Sequence, residues 1–212
     1  MIEGFVIAGG LSSRMGKPKA GLILAGRSLL ERAVDAISSV SNGKVTAIIA
    51  KDFEIEGGGD LSYRTVHDLE IPGLEQSLRA SMVGLYTALT LSKSPWIAVL
   101  AVDLPFVTSD LFAFLSNQID DDLDAIVPVQ EDGEPQPTCA LYRCQTVLPL
   151  IIEALETGQL GLRSLLSKMK TYRLPNSKIA HLEGAEYFFM NLNTPDDYSR
   201  AAALAGERTG YL

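Results

Sequence analysis

Soft metal ligands and nucleophiles are scarce in this chain. Its 212 residues include two cysteines, Cys139 and Cys144, and two histidines, His67 and His181. Two cysteines are too few for a disulfide framework, and no Cys/His cluster has zinc spacing. In an extended segment Cys139 and Cys144 would point to opposite faces, so both read as reduced packing residues. No Ser/His/Asp or Cys/His set stands out, which argues against an activated protein nucleophile. His67 reads as structural, and His181 sits in a segment that suggests no role.

Basic charge is also in short supply. Lysine and arginine number 18 against 26 acidic residues, for a net charge of −8. That balance argues against nucleic acid or an anionic membrane as the main partner. A local cluster of cations could still hold a small anionic substrate. No apolar run reaches the ~18 residues a membrane span needs. The opening MIEGFVIAGG has neither a basic leader nor a long apolar stretch, so a cytoplasmic location is expected. With 47% hydrophobic residues, the chain can bury the core of one α/β domain over residues 1–212.

What is present is alternation. Apolar runs at Phe5 to Ala8, Val45 to Ala50, Trp96 to Val102, Ala125 to Val129, Cys139 to Tyr142 and Tyr187 to Leu192 suggest strands covered on both faces. Between them lie helical patterns at 28–39, 77–91, 110–117 (N-cap Ser109) and 147–155. Thr194-Pro195-Asp196-Asp197 reads as N-cap, first-turn proline and acidic first turn of a last helix running to about Ala205. The expected fold is α/β, a doubly wound, mostly parallel sheet with helices on both faces. Ligands of such folds sit beyond the carboxyl ends of the strands. Gly57-Gly58-Gly59 reads as a connector, Asp120-Asp121-Asp122 as a solvated turn, and the last seven residues as a frayed tail.

Two stretches at such strand ends carry chemistry. In IAGGLSSRMGKPKA (7–20), glycines let the backbone approach a ligand, and Arg14, Lys17 and Lys19 could neutralise a polyphosphate. Five residues lie between Gly10 and Gly16, where a P-loop has four, and Pro18 follows Lys17, so this is not a P-loop. It is not a G-x-G-x-x-G dinucleotide loop either. In WIAVLAVDLPF, Asp103 ends an apolar strand and Pro105 turns the chain away. A carboxylate there is placed to hold Mg²⁺ over bound phosphates, or it merely caps the turn.

The first of these stretches resembles the signature loop of the molybdenum cofactor nucleotidyltransferases, matching at Ala8, Gly9, Gly10, Ser12, Arg14, Met15, Gly16 and Lys19. Asp103-Leu104-Pro105-Phe106 matches that family's D-x-P-F, and Asn191-Leu192-Asn193-Thr194-Pro195 matches the N-V-N-T-P of its guanylyl branch. The resemblance spans nearly the whole chain and implies a Rossmann-like nucleotidyltransferase fold. It also implies a transfer of GMP from GTP to the phosphate of molybdopterin. By it, Ile7, Ala8, Gly9 and Gly10 meet the nucleotide, Arg14 and Lys19 the triphosphate, and Asp68 the nucleotide as well. Asp103 would hold Mg²⁺, while Arg163, Asn191 and Asn193 face the acceptor. DGEPQPTCALYR (132–143) is similar to a family strand lining the acceptor side. The family's aspartate before the loop lysine is Pro18 here. Of G-P-L-A-G-L only Gly84-Leu85 remains, and GLEQSLRA (73–80) resembles the cytidylyl pattern, so CTP stays open as the donor. Transfer to a different phosphorylated acceptor stays open too, as does a nucleotide sensor that catalyses nothing. Transient contact with cofactor-delivery or target proteins is compatible with the resemblance.

Overall fold

The computed structural model describes residues 1–9, 19–49, 62–71 and 80–209. Gly10, Arg14, Lys17, the triple glycine and the GLEQSLRA segment short of Ala80 lie outside the described residues.

Strand β1 (Ile2–Ile7) leads to a short hairpin of β2 (Ile23–Leu24) and β3 (Arg27–Ser28), then helix α1 (Leu29–Ser38). Next come β4 (Val45–Ile49), β5 (Arg64–His67), α2 (Ala80–Leu91), β6 (Trp96–Ala101) and α3 (Ser109–Ser116). The chain continues through β7 (Ala125–Pro128), β8 (Cys139–Arg143), α4 (Cys144–Glu156), α5 (Leu162–Leu166), β9 (Thr171–Leu174) and α6 (Pro195–Thr209).

Seven strands form one sheet in the order β5-β4-β1-β6-β8-β7-β9. All neighbours pair in parallel except those of β8, which runs against both β6 and β7. The reversal follows from the direct β7–β8 connection, where Gly133 adopts φ +89° and a hairpin replaces a helical crossover.

The strands read as apolar throughout because both sheet faces are covered. Along β6, Trp96, Ala98 and Leu100 face one core with α1, α3 and α6, whereas Ile97 and Val99 face the other with α2, α4 and α5. On the second face α2 comes closest at Gly84. A Cβ there would stand 2.8 Å from Ile7 Cγ2, so glycine lets the helix lie against the end of β1.

Most expected elements are present, with local differences. Helix α1 is capped by Ser28 and Glu31 in a reciprocal pair. Thr108 rather than Ser109 precedes α3. The apolar run Tyr187 to Leu192 is not a strand. Gly184, at φ +75°, opens a tight 3₁₀ turn over Ala185–Tyr187, and Phe188 and Leu192 bury their side chains without joining the sheet. The final helix continues past Ala205 to Thr209, so the first residues of the expected tail are helical. Both cysteines are free, Cys139 buried in β8 and Cys144 opening α4, and burial pushes both thiols up. Asp121 and Asp122 are exposed, as a solvated turn requires. Among the described residues no helix is long and apolar enough to cross a membrane.

Candidate active site

The carboxyl ends of β1, β4, β5 and β6 open on the same edge of the sheet, and the functional side chains gather there. At the end of β1 the ladder takes up part of the backbone. Ile7 O accepts from Val102 N at 3.1 Å, and Ala8 N donates to Ile48 O at 2.8 Å. Gly9 is the last residue described before Lys19. Where description resumes, Lys19 begins a 3₁₀ turn anchored by the fully buried Ala20.

Lys19 ties two distant segments together. Its Nζ donates to Asn193 Oδ1 at 2.8 Å and lies 3.6 Å from Asp103 Oδ2. The lysine side chain is 17% exposed and that of Asp103 26%. Burial pushes the Asp103 carboxyl above the usual carboxylate range, and the Lys19 ammonium opposes that rise. The Asp103 carbonyl accepts from Leu192 N at 2.9 Å, which locks the Asn191-Leu192-Asn193 segment onto the end of β6. So Lys19, Asp103 and Asn193, expected separately, form one cluster.

Among the described residues no group of three or more His, Cys, Asp or Glu could hold a metal ion. An all-protein cage is thus not what this part of the chain provides. A single half-buried carboxylate suits Mg²⁺, which is commonly held by one or two carboxylates and completed by substrate phosphates and water.

Asp68 follows β5 at the far side of the same edge. Burial pushes its carboxyl up to about 6, with the adjacent His67 opposing. Its Oδ1 is buried and has no partner among the described residues. The next peptide is fixed, Leu69 N donating to Thr87 Oγ1 of α2 at 3.0 Å.

The remaining expected residues converge on a second feature. Arg163, Asn191 and Asn193 all line one cavity of about 570 Å³, together with Gln136, Thr138 and Met82. Its walls come from the start of α5, from the segment before α6 and from the hairpin entering β8. The Gln136-Pro137-Thr138 stretch is held firmly: Gln136 N bonds Pro128 O, and the buried Tyr142 hydroxyl donates to Pro137 O at 2.6 Å. Arg163 is exposed and pairs with Glu134 across the cavity rim. Gln136, only 6% exposed, lines the cavity from within the 132–143 segment.

Residues 4–173 match the sequence model of the MobA-like NTP transferase domain. A probable molybdenum cofactor guanylyltransferase from Bacillus velezensis is 30% identical over 198 residues, covering 93% of each chain. A molybdenum cofactor guanylyltransferase from Desulfosudis oleivorans is 26% identical over 205 residues, covering 95% of each. Among solved structures, molybdopterin-guanine dinucleotide biosynthesis protein A from Archaeoglobus fulgidus gives a TM-score of 0.74 at 21% identity, covering 98% of this chain and 100% of that one. A 2-C-methyl-D-erythritol 4-phosphate cytidylyltransferase from Thermus thermophilus gives 0.68 at 20% identity, covering 96% and 98%. The same fold therefore carries proteins named for different bases and acceptors, and specificity has to be argued from the site.

Proposed function

This chain belongs to the MobA-like NTP transferase family and is a nucleotidyltransferase, and we propose that it joins GMP from GTP to the phosphate of molybdopterin, releasing pyrophosphate. The observation that carries the reading is the Lys19 bond. One cation stands 3.6 Å from the Asp103 carboxylate and 2.8 Å from an amide that lines the neighbouring cavity. Nucleotide phosphates and an acceptor phosphate would meet where those groups meet. The names of the relatives favour guanine and a molybdenum cofactor acceptor, and the Asn191/Asn193 pair supports that choice. Amides both donate and accept, which suits a pterin edge.

An acceptor phosphate is already ionised at neutral pH, so its oxygen attacks the α-phosphorus without a general base. The protein's part is positioning and charge neutralisation. Asp103 would hold Mg²⁺, which when bound supplies positive charge at the reacting phosphates. Lys19 steadies the departing pyrophosphate. Arg14 is assigned the same task on the family resemblance. Asp68 offers the donor groups of the base an oxygen that has no partner among the described residues. Arg163, at the mouth of the cavity, exchanges Glu134 for the acceptor's phosphate.

The test is incubation with molybdopterin and Mg²⁺, offering GTP and CTP separately and measuring pyrophosphate. The proposal expects GTP to be preferred by at least about tenfold, since a lost base-edge hydrogen bond typically costs about 1–3 kcal/mol. Equal or faster release with CTP would replace guanine with cytosine and leave the transfer chemistry intact.

A further inference from the structure

We propose that Asp197 is a positioning residue for the transfer reaction, its carboxylate fixing the Asn193 peptide and through it the amide that Lys19 meets. The inference deepens the reading above and rests on it.

The geometry starts as an ordinary helix cap. Thr194 Oγ1 accepts from Asp197 N at 3.1 Å, and Asp197 Oδ2 accepts in return from Thr194 N at 2.9 Å. Those two bonds complete a capping pair at the start of α6. Asp197 Oδ2 also accepts from Asn193 N at 3.1 Å. That third bond lies one residue beyond the cap and is not needed to begin the helix. It falls on the residue whose side chain receives Lys19 at 2.8 Å.

The preceding peptide is fixed as well. Leu192 is fully buried and its N–H is held by the Asp103 carbonyl. Asn193 thus sits between a backbone anchor at Asp103 and a carboxylate anchor at Asp197. Without the second anchor, the Asn193 peptide can turn about Leu192 and carry its amide away from Lys19. Asp197 is ionised for this task. The Thr194 and Asn193 hydrogen bonds hold its carboxyl below the usual carboxylate range. The adjacent Asp196 is exposed and makes no such bond among the described residues, so it serves as a matched control on the same helix turn.

Four variants separate positioning from capping: Asp197→Ala, Asp197→Asn, Thr194→Ala and Asp196→Ala. Each is measured for KM and kcat with molybdopterin and GTP, for thermal melting, and for the side-chain amide resonances of Asn193 in nitrogen-15-labelled protein. Asp197→Ala should raise the acceptor KM about five- to tenfold, somewhat less than a bond to a buried charged group because the site is at the surface. It should change kcat less and shift the Asn193 amide resonances. Thr194→Ala weakens the cap but keeps the carboxylate on Asn193 N. It should melt lower while its KM and resonances stay close to wild type. Asp197→Asn retains an accepting oxygen and should recover most of the KM, and Asp196→Ala should behave as wild type. Equal KM increases in Asp197→Ala and Thr194→Ala would reduce Asp197 to a helix cap and overturn the proposal. So would unmoved resonances in Asp197→Ala. If the unaltered protein does not use molybdopterin, the reading of the function falls, while the resonances still decide the positioning claim.

Discussion

Two aspartates end two parallel strands of one sheet, and their surroundings differ. Asp103 follows β6, a central strand whose residues are all buried, and it has a lysine 3.6 Å away. Its backbone carbonyl is tied to Leu192. Asp68 follows β5, an edge strand with most of its residues exposed. One of its oxygens is buried with no partner among the described residues, and its carboxyl is pushed up to about 6. A carboxylate with a lysine beside it has a cation that opposes the loss of its charge and that can be exchanged for another. A carboxylate with an oxygen left unsatisfied by the described residues is arranged to receive hydrogen bonds from elsewhere. On the proposed function the pair would divide the work, charge at Asp103 and recognition at Asp68.

The sharpest way to break this division is Asp103→Asn. The amide keeps the shape, so melting should hardly change, but it is a weaker ligand for a hard cation. Several kcal/mol of transition-state stabilisation should be lost, and each ~1.4 kcal/mol is tenfold in rate. Turnover should fall by about a hundredfold or more in steady-state assays at saturating Mg²⁺. Near wild-type turnover would move the metal to another carboxylate.

Lys19→Ala tests the partner of that charge. GTP affinity by calorimetry should drop by about tenfold, as expected for losing a charge-assisted contact in a partly exposed site. An unchanged affinity would make Lys19 only the tether between Asp103 and Asn193.

Asp68→Asn should give the smallest effect and one of opposite sign on stability. The folded carboxyl keeps its proton up to about pH 6, whereas an unperturbed one loses it near 3.8. The native state therefore binds more protons between those values, and stability falls as pH rises from about 4 to 6, then levels off. Asparagine removes that slope. At pH 7.5 it should stabilise the fold by on the order of 1–2 kcal/mol, after allowance for screening of a partly exposed group, or about 2–6 °C in Tm. Nucleotide affinity should drop a few-fold in the same protein. A variant that melts no higher and keeps the pH slope would show that Asp68 is not held against its solvation.

The difference between the two aspartates also marks how far the sequence could be read. Asp103 is conspicuous because a six-residue apolar strand points straight at it, with Pro105 behind. Asp68 ends a strand of mixed character, and only the burial of one of its oxygens sets it apart in the structure. Strands β1, β4, β6, β7 and β8 are legible because both faces are covered. Strand β9 (TYRL) lies at the sheet edge and carries no apolar run, and the two-residue strands of the hairpin are too short for any pattern to form. The run Tyr187 to Leu192 has the composition of a strand, yet its aromatic residues fill the core from a turn. Periodicity cannot separate those outcomes. Asn193 and Lys19 are legible as residues, but their bond spans 174 positions and belongs to topology. Asp197 reads locally as one acidic residue in a first helical turn. Its second role depends on where Asn193 points.

On the proposed function, Lys19, Asp103 and Asn193 bring a nucleotide's α-phosphorus to an acceptor phosphate. The most direct test is a single turnover with GTP labelled in parallel at the α- and γ-phosphorus, in the presence of molybdopterin and Mg²⁺. The account predicts that the α-label appears in the pterin product and the γ-label in pyrophosphate, with neither in inorganic phosphate. Transfer of the γ-label to the acceptor, or release of both labels without any label on the pterin, would contradict it.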